Sequence, residues 1–546
     1  MKKTIAPSLV ALAFLGLSGC GAPQTDAAAE PEASTEAPLT AADTLALKTL
    51  PEIAEALAAG DVTSEALVEA YLKRIEEIDR SGPTLQSVLA LNPDALDAAR
   101  AADEALANGE SLGPLHGVPV LLKDNIETAD PVATTAGALA LAGNMADQDA
   151  PLAAGLREAG AIILGKTNLS QWANFRSNDS ISGWSALGGQ VRNPHMLDRS
   201  PCGSSSGSGS AAAAQLAAGT VGTETNGSII CPSTSNGIVG FKPTVGLVAQ
   251  TGIVPISSTQ DTAGPMTRSV KGAAMMLTAM ATGEGATDYA AALSDTALEG
   301  QRIGVLRFAE GSNNEVKSLF ADALEVLEAQ GAELVDIGEV DLPDDYGRNE
   351  GFVLRAEFKA TLNDYLATTD PNEVSVRTLE ELIAFNEENA ETELYIFDQS
   401  IFVQSQEQPD LDDEGYQGAV ASILTASREN GIDKMLADFG VDMVVSPSRG
   451  PAFMVDAVNG DTFGGGGSGA GYLAAIAGYP HITIPMGTVR GLPVGLSIMG
   501  TAGDDAAILA AGYDYEQATN LIAEPQYHRN AEGVERTAEA MRPYKP

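Results

Sequence analysis

The stretch PCGSSSGSGSAAAAQ, Pro201 to Gln215, carries five serines and three glycines in its first ten residues and then runs straight into alanines. A flexible spacer would not continue into a helix-forming run. The stretch reads instead as a loop that supplies the first turn of a helix over Ala211–Ala218, where free backbone N–H groups suit Ser and Gly. A second small-residue turn follows at Thr223–Ser228, so two backbone segments are expected to close on one point. Serine is a poor nucleophile until a base removes its proton. The four histidines, His116, His195, His481 and His528, sit in no motif, and a G-x-S-x-G elbow is missing, which argues against a Ser-His-Asp hydrolase. A lysine can serve only when neutral, which requires burial to pull its pKa down from about 10.4. Lys123 ends the apolar run Val118–Leu122 and suits that role. On residue type alone Ser204, Ser205 and Ser206 are equal candidates to face it, while Ser206 and Ser208 also read as hydrogen bonders that support the loop. Asp124 either orients the lysine region or merely ends the strand.

The elements that would position these groups alternate. A helix starts at Thr63 or Ser64, with Leu67, Tyr71, Ile75 and Ile78 on one face, and an Ala-rich helix spans about Pro93 to Asn108. Val118–Leu122 reads as a buried strand. PLAAGLREAG (helix), AIILGK (strand) and TNLSQWAN (helix) follow, then strand Arg302–Phe308, helix Asn314–Ala329 and strand Ala332–Ile337. Val441–Ser448 and His481–Gly487 look like further buried strands. This pattern predicts an α/β fold: one large domain with a mixed, twisted sheet covered by helices on both faces. The acidic, helical region from Tyr346 to Gly415 is expected to form a cap outside the sheet. The glycine run Gly464–Gly467 is either a loop near the substrate mouth or a surface turn.

Composition narrows the function further. The 546 residues carry a formal net charge of −43. That surface repels phosphates, so nucleic acid is excluded as a partner and anionic membrane surfaces are disfavoured. The N-terminus, MKKTIAPSLVALAFLGLSGC, has two lysines, an apolar stretch and a lipobox-like Leu17-Ser18-Gly19-Cys20, the layout of a secretory lipoprotein signal over residues 1–20. Cys20 is the expected lipidation site. Residues 21–44, rich in Ala, Pro, Glu and Thr, read as a disordered tether, and residues 45–546 as the catalytic domain. The mature protein is then expected outside the cytoplasm, in contact with a bacterial membrane only through its anchor. Cys202 and Cys231 would be its only remaining cysteines, small packing residues or a single bridge.

Three stretches, GPLHGVPVLLKDNIET, PCGSSSGSGSAAAA and GTETNGSIICPSTSNGIVGFKPTVGLV, resemble in order the amidase signature family of Ser-Ser-Lys hydrolases. The resemblance continues through GIVPISSTQDTAGPMTRSV and AGYPHITIPMG and covers the chain from about residue 45. PCGSSSGS with GTETNGSI-x-CP is most similar to the bacterial peptide amidase branch. The resemblance implies Ser228 as nucleophile, Ser204 as bridging serine, Lys123 as base and a cis peptide at Gly203–Ser204. Ser204 and Ser228 stand 24 positions apart, the family's spacing. It also implies an oxyanion hole from the backbone N–H groups of Thr225, Asn226, Gly227 and Ser228.

Much of the family reads D-x-G-G-S-[IV]-R around the nucleophile, whereas here Glu224, Asn226 and Ile230 replace the Asp, the first Gly and the Arg. These departures bear on substrate class rather than on activity. The expectation is a monomeric amidase that cleaves carboxamides, C-terminal peptide amides first, with no cofactor and no metal. The alternatives are an amidase or esterase for other acyl, aryl or fatty amides, and a catalytically inactive binding lipoprotein. The family's tRNA-dependent amidotransferase subunit is disfavoured, because export would separate it from its partners.

Overall fold

The apolar run ending at Lys123 becomes a central strand, buried along its whole length, because helices cover it from both sides. The computed structural model describes residues 39–462 and 467–543. The signal segment with Cys20, residues 21–38 of the tether and Gly464–Gly466 lie outside the described residues.

The strands are β1 (Val88–Leu91), β2 (Pro119–Lys123), β3 (Ile162–Thr167), the small hairpin β4 (Trp184–Ser185) and β5 (Gly189–Gln190), β6 (Gly219–Glu224), β7 (Val239–Lys242) and β8 (Thr262–Thr267). They continue with β9 (Arg302–Leu306), β10 (Glu333–Ile337), β11 (Met443–Pro447), β12 (His481–Val489) and β13 (Leu492–Met499). Eleven of them form one sheet in the order β1-β3-β2-β6-β8-β7-β12-β13-β11-β9-β10. β2 runs parallel to β3 and β6, and β9 parallel to β10 and β11, whereas β8, β7, β12 and β13 pair antiparallel between these two groups. The sheet is therefore mixed.

Side chains alternate across a strand, and β6 shows what lies on each face. A Cβ at Gly219 would meet Met276 of the helix Val270–Met280, while one at Gly222, of opposite parity, would meet Ser205 beside the helix Ser206–Ala213. This is an α/β fold with helices on both faces.

Many expected elements appear within a residue or two. The helix Ser64–Arg74 is capped by the Thr63 hydroxyl and buries Leu67 and Tyr71. Ala95–Ala107, Pro151–Glu158 and Asn314–Ala329 are helices. Three differences have identifiable causes. TNLSQWAN is not a helix: after β3 the chain makes a short turn at Gln171–Asn174 with Trp172 and Ala173 at positive φ. Its N–H groups go to distant partners, Ser170 N to Ser204 O at 3.0 Å and Trp172 N to Ala136 O at 3.0 Å. The alanine helix starts at Ser206, with the Ser208 and Ser210 hydroxyls donating to Val221 O and Arg192 O inside the fold, and it ends at Ala213, shortly before Gln215 turns to φ +56°. Finally, Ala41–Leu45 is already helical within the expected tether, held by a capping box between Thr40 and Asp43.

Helices Tyr346–Thr368, Leu379–Glu388, Ala390–Glu393, Ser400–Gln406 and Glu414–Ser427 form the cap and contribute no strand. Phe358, Leu362, Leu366 and Phe402 share an apolar core with Trp172 and Ile256. An ion pair between Arg176 and Glu393, both side chains fully buried, joins cap to base at 3.2 Å. The Glu393 carboxylate also accepts from Leu139 N at 2.7 Å and Gln171 Nε2 at 2.5 Å. No described helix is long and apolar enough to cross a membrane.

Candidate active site

β2 and β6 are parallel neighbours, so their carboxyl ends, Lys123 and Thr223, stand side by side. In open α/β sheets, sites gather at such ends. Lys123 is fully buried. Its Nζ donates to Ser204 Oγ at 2.7 Å and to Thr223 Oγ1 at 2.8 Å. Burial pulls the Lys123 pKa down to about 7, against the weaker opposing attraction of Asp261 and Glu224. This lysine is thus poised to exchange a proton near neutrality, with a serine hydroxyl in hydrogen-bonding contact.

Of the three serines that the residue types left equal, the structure brings Ser204 to the lysine. The Gly203–Ser204 peptide is cis. A Cβ on Gly203 would overlap Ser170 Oγ and approach Ser206 Oγ to 2.9 Å, so only glycine fits there. Ser205 laces this segment to the next: its N–H donates to Ser228 O at 3.2 Å, and its hydroxyl donates to Thr223 O at 3.0 Å. Ser206 donates to Cys202 O at 2.6 Å and Ser208 to Val221 O at 2.9 Å, both as loop supports.

The turn Thr225–Ser228 follows β6 directly. Gly227 has φ +88° and open space around its missing side chain, a conformation that favours glycine. The Glu224 carboxylate accepts from Ile229 N at 2.7 Å and Ile230 N at 3.0 Å, pinning the exit of the turn. Thr225 Oγ1 donates to Asp261 at 2.5 Å, and Asp261 also accepts from Ile256 N and Ser257 N. Burial raises the Asp261 pKa to about 6. Asn226 Nδ2 donates to Glu350 of the cap at 2.6 Å, and burial holds that carboxyl above its usual range.

Gly203, Thr225, Asn226, Gly227 and Ser228 line one open cleft of about 330 Å³, with Phe175, Ile256 and Leu354 as apolar walls and Arg449 at its side. Ser228 is half-buried on that wall. No histidine is among the described residues lining the cleft. His195 and His481 are buried elsewhere, and burial lowers their pKa values to about 4 and about 3. Asp124 accepts from Thr135 and Gly137 and organises the loop after β2. Cys202 and Cys231 are not merely packed: they form a disulfide with a Cα–Cα distance of 5.8 Å. Thr223, Asp261 and Glu350 escape a reading of the sequence, because each acts through a partner distant along the chain. Glu224 stands out there only as a departure from the family pattern. Among the described residues no group of three or more His, Cys, Asp or Glu is placed to hold a metal ion.

The amidase family model matches residues 66–509. The chain belongs to the amidase family. This amidase is 36% identical over 491 residues to an Arabidopsis thaliana chain named "Probable amidase", covering 85% of its own length and 89% of the relative's. It is 44% identical to the native peptide amidase from Stenotrophomonas maltophilia, with a TM-score of 0.84 over 89% of this chain and 99% of that one. An amidase family protein from Bacillus anthracis str. Ames is 32% identical at a TM-score of 0.79, over 89% and 93% of the two chains.

Proposed function

We propose that this amidase hydrolyses C-terminal peptide amides through an acyl-Ser228 intermediate, releasing ammonia. The observation that carries the mechanism is the buried, neutral-leaning Lys123 within 2.7 Å of Ser204 Oγ. Neutral Lys123 takes the Ser204 proton as Ser204 takes that of Ser228, and Ser228 Oγ attacks the amide carbon. The negative charge that develops on the carbonyl oxygen is met by the N–H groups of Thr225, Asn226, Gly227 and Ser228. One such donor is worth about 2.7–4 kcal/mol. An amide's leaving nitrogen must be protonated, and Ser204 returns a proton to it while Lys123 resupplies Ser204. Water then attacks the acyl-serine by the same relay, freeing the acid.

The peptide substrate is supported by the 44% identity to a peptide amidase and by an open cleft with apolar walls, which leaves room for an extended chain. We further propose that the protein is exported and anchored through Cys20. The signal layout supports this, and so does a disulfide that the reducing cytosol would not keep.

The test is ammonia release from amidated peptides, with matched aryl and fatty amides, by wild type and Ser228→Ala. Release from the peptides that vanishes in the variant is expected, with a melting temperature close to wild type because the Ser228 side chain is half-buried. Retained turnover in Ser228→Ala refutes the nucleophile. Turnover confined to other amides moves the substrate and keeps the chemistry.

A further inference from the structure

Each serine-bearing segment carries a cysteine beside its serine. Cys202 stands two residues before Ser204 and Cys231 three residues after Ser228. Their disulfide therefore runs from the segment of the bridging hydroxyl to that of the nucleophile, across a sequence separation of 29. Beyond this bond, the two segments are laced mainly by hydrogen bonds of Ser205. The Cys202 backbone has φ +58°, a region that non-glycine residues occupy only when their surroundings hold them there. A serine-to-serine proton relay tolerates little drift, since catalytic groups must be held to within about 0.5 Å of their working positions.

The two sulfurs differ in their surroundings. Both cysteines line the cleft, but Cys202 is only 3% exposed while Cys231 is half-buried. Arg449 Nη1 lies 2.7 Å from Cys202 Sγ. A reductant entering by the cleft meets Cys231 first, and the sulfur that would leave stands beside a guanidinium, which stabilises a thiolate.

We propose that Cys202–Cys231 is a redox-sensitive clamp that positions Ser204 against Ser228, so that full turnover requires the oxidised form. This rests on the serine–serine–lysine reading above. An external dithiol drives the opening. One of its thiolates attacks Cys231 Sγ, the protein S–S bond breaks, and Cys202 departs as a thiolate that then takes up a proton. The second thiol attacks the mixed disulfide and frees Cys231. The reductant leaves as its own disulfide, having passed two electrons to the protein. Neither cysteine touches the reacting atoms; both are positioning residues.

The test treats the folded, oxidised protein with dithiothreitol and follows amide turnover, free thiols and far-UV circular dichroism together. As the two thiols appear, kcat is expected to fall by about 10- to 100-fold, the size of effect a misplacement of about 1 Å produces. KM should change far less, the circular dichroism should persist, and oxidised glutathione should restore kcat. A Cys202→Ser/Cys231→Ser variant should show the same low kcat and no response to either reagent. Full kcat with both thiols titrated overturns the clamp, as does loss of the circular dichroism signal in step with activity. Oxidised enzyme that turns over no amide refutes the catalytic reading itself and takes the clamp down with it.

Discussion

Replacing Lys123 by methionine keeps most of the side chain's bulk and removes its nitrogen, so the change separates chemistry from packing. With a pKa of about 7, Lys123 is half neutral at pH 7. At the ordinary value of 10.5 only about one lysine in 3,000 would be. Burial thus raises the supply of free base roughly a thousandfold, equivalent to about 4 kcal/mol. Wild-type kcat/KM should climb about tenfold between pH 6 and pH 8 and then level off, as the neutral fraction grows. Lys123→Met should lose a factor of about 10³ or more and its dependence on this titration. Stability should move differently. The folded pKa lies below the unfolded one, so the folded state binds fewer protons and stability rises with pH from about 7 towards 10.5. At pH 7 the variant escapes that burial cost, set against two lost hydrogen bonds of about 1 kcal/mol each. Its melting temperature is expected at or above that of wild type. Stopped assays of ammonia release from pH 5.5 to 9, with melting curves at pH 7, check both halves. A flat wild-type profile between pH 6 and 8, or a Lys123→Met variant within tenfold of wild type, would refute the role of the lysine.

Three further outcomes follow from particular contacts. Glu393→Ala leaves Arg176 charged and buried without its carboxylate, and should cost about 3–5 kcal/mol, read as a lower denaturant midpoint. Gly203→Ala places a methyl group against Ser170 and Ser206, and should cost about 1–3 kcal/mol and displace Ser204, read as lost turnover with a lowered melting temperature. Cys20→Ala should leave the protein without a lipid, released from membranes on fractionation and unlabelled by palmitate. Normal lipid labelling of that variant would contradict the anchor.

Legibility varied from group to group for physical reasons. Lys123 is visible because Val118–Leu122 is a short, wholly apolar run ending in a charge, which burial alone explains. Choosing Ser204 over Ser205 and Ser206 needs either the family's spacing or the 2.7 Å contact, since all three share one loop and one chemistry. TNLSQWAN looks helical by local preference, but Ala136 and Ser204 take its N–H groups from far along the chain. β6 hides because GTVGTE holds glycines and threonines in place of bulky apolar residues, and those small residues let the helix Ser206–Ala213 sit close. The Cys202–Cys231 bond cannot be read from a separation of 29 residues. Only the meeting of the two segments brings the sulfurs together.

The cap touches the cleft through few side chains, Leu354 on the wall and Glu350 against Asn226, and it is fastened to the base through the buried Arg176–Glu393 pair. Lys123 and Thr223 belong to the sheet, while Ser204 and Ser228 follow in the segments beside it. The Lys123–Ser204 pair and the cap are thus separate stretches of one polypeptide. A substitution at Leu354 alters the cleft wall without touching the Lys123–Ser204 contact, whereas one at Glu350 also releases Asn226.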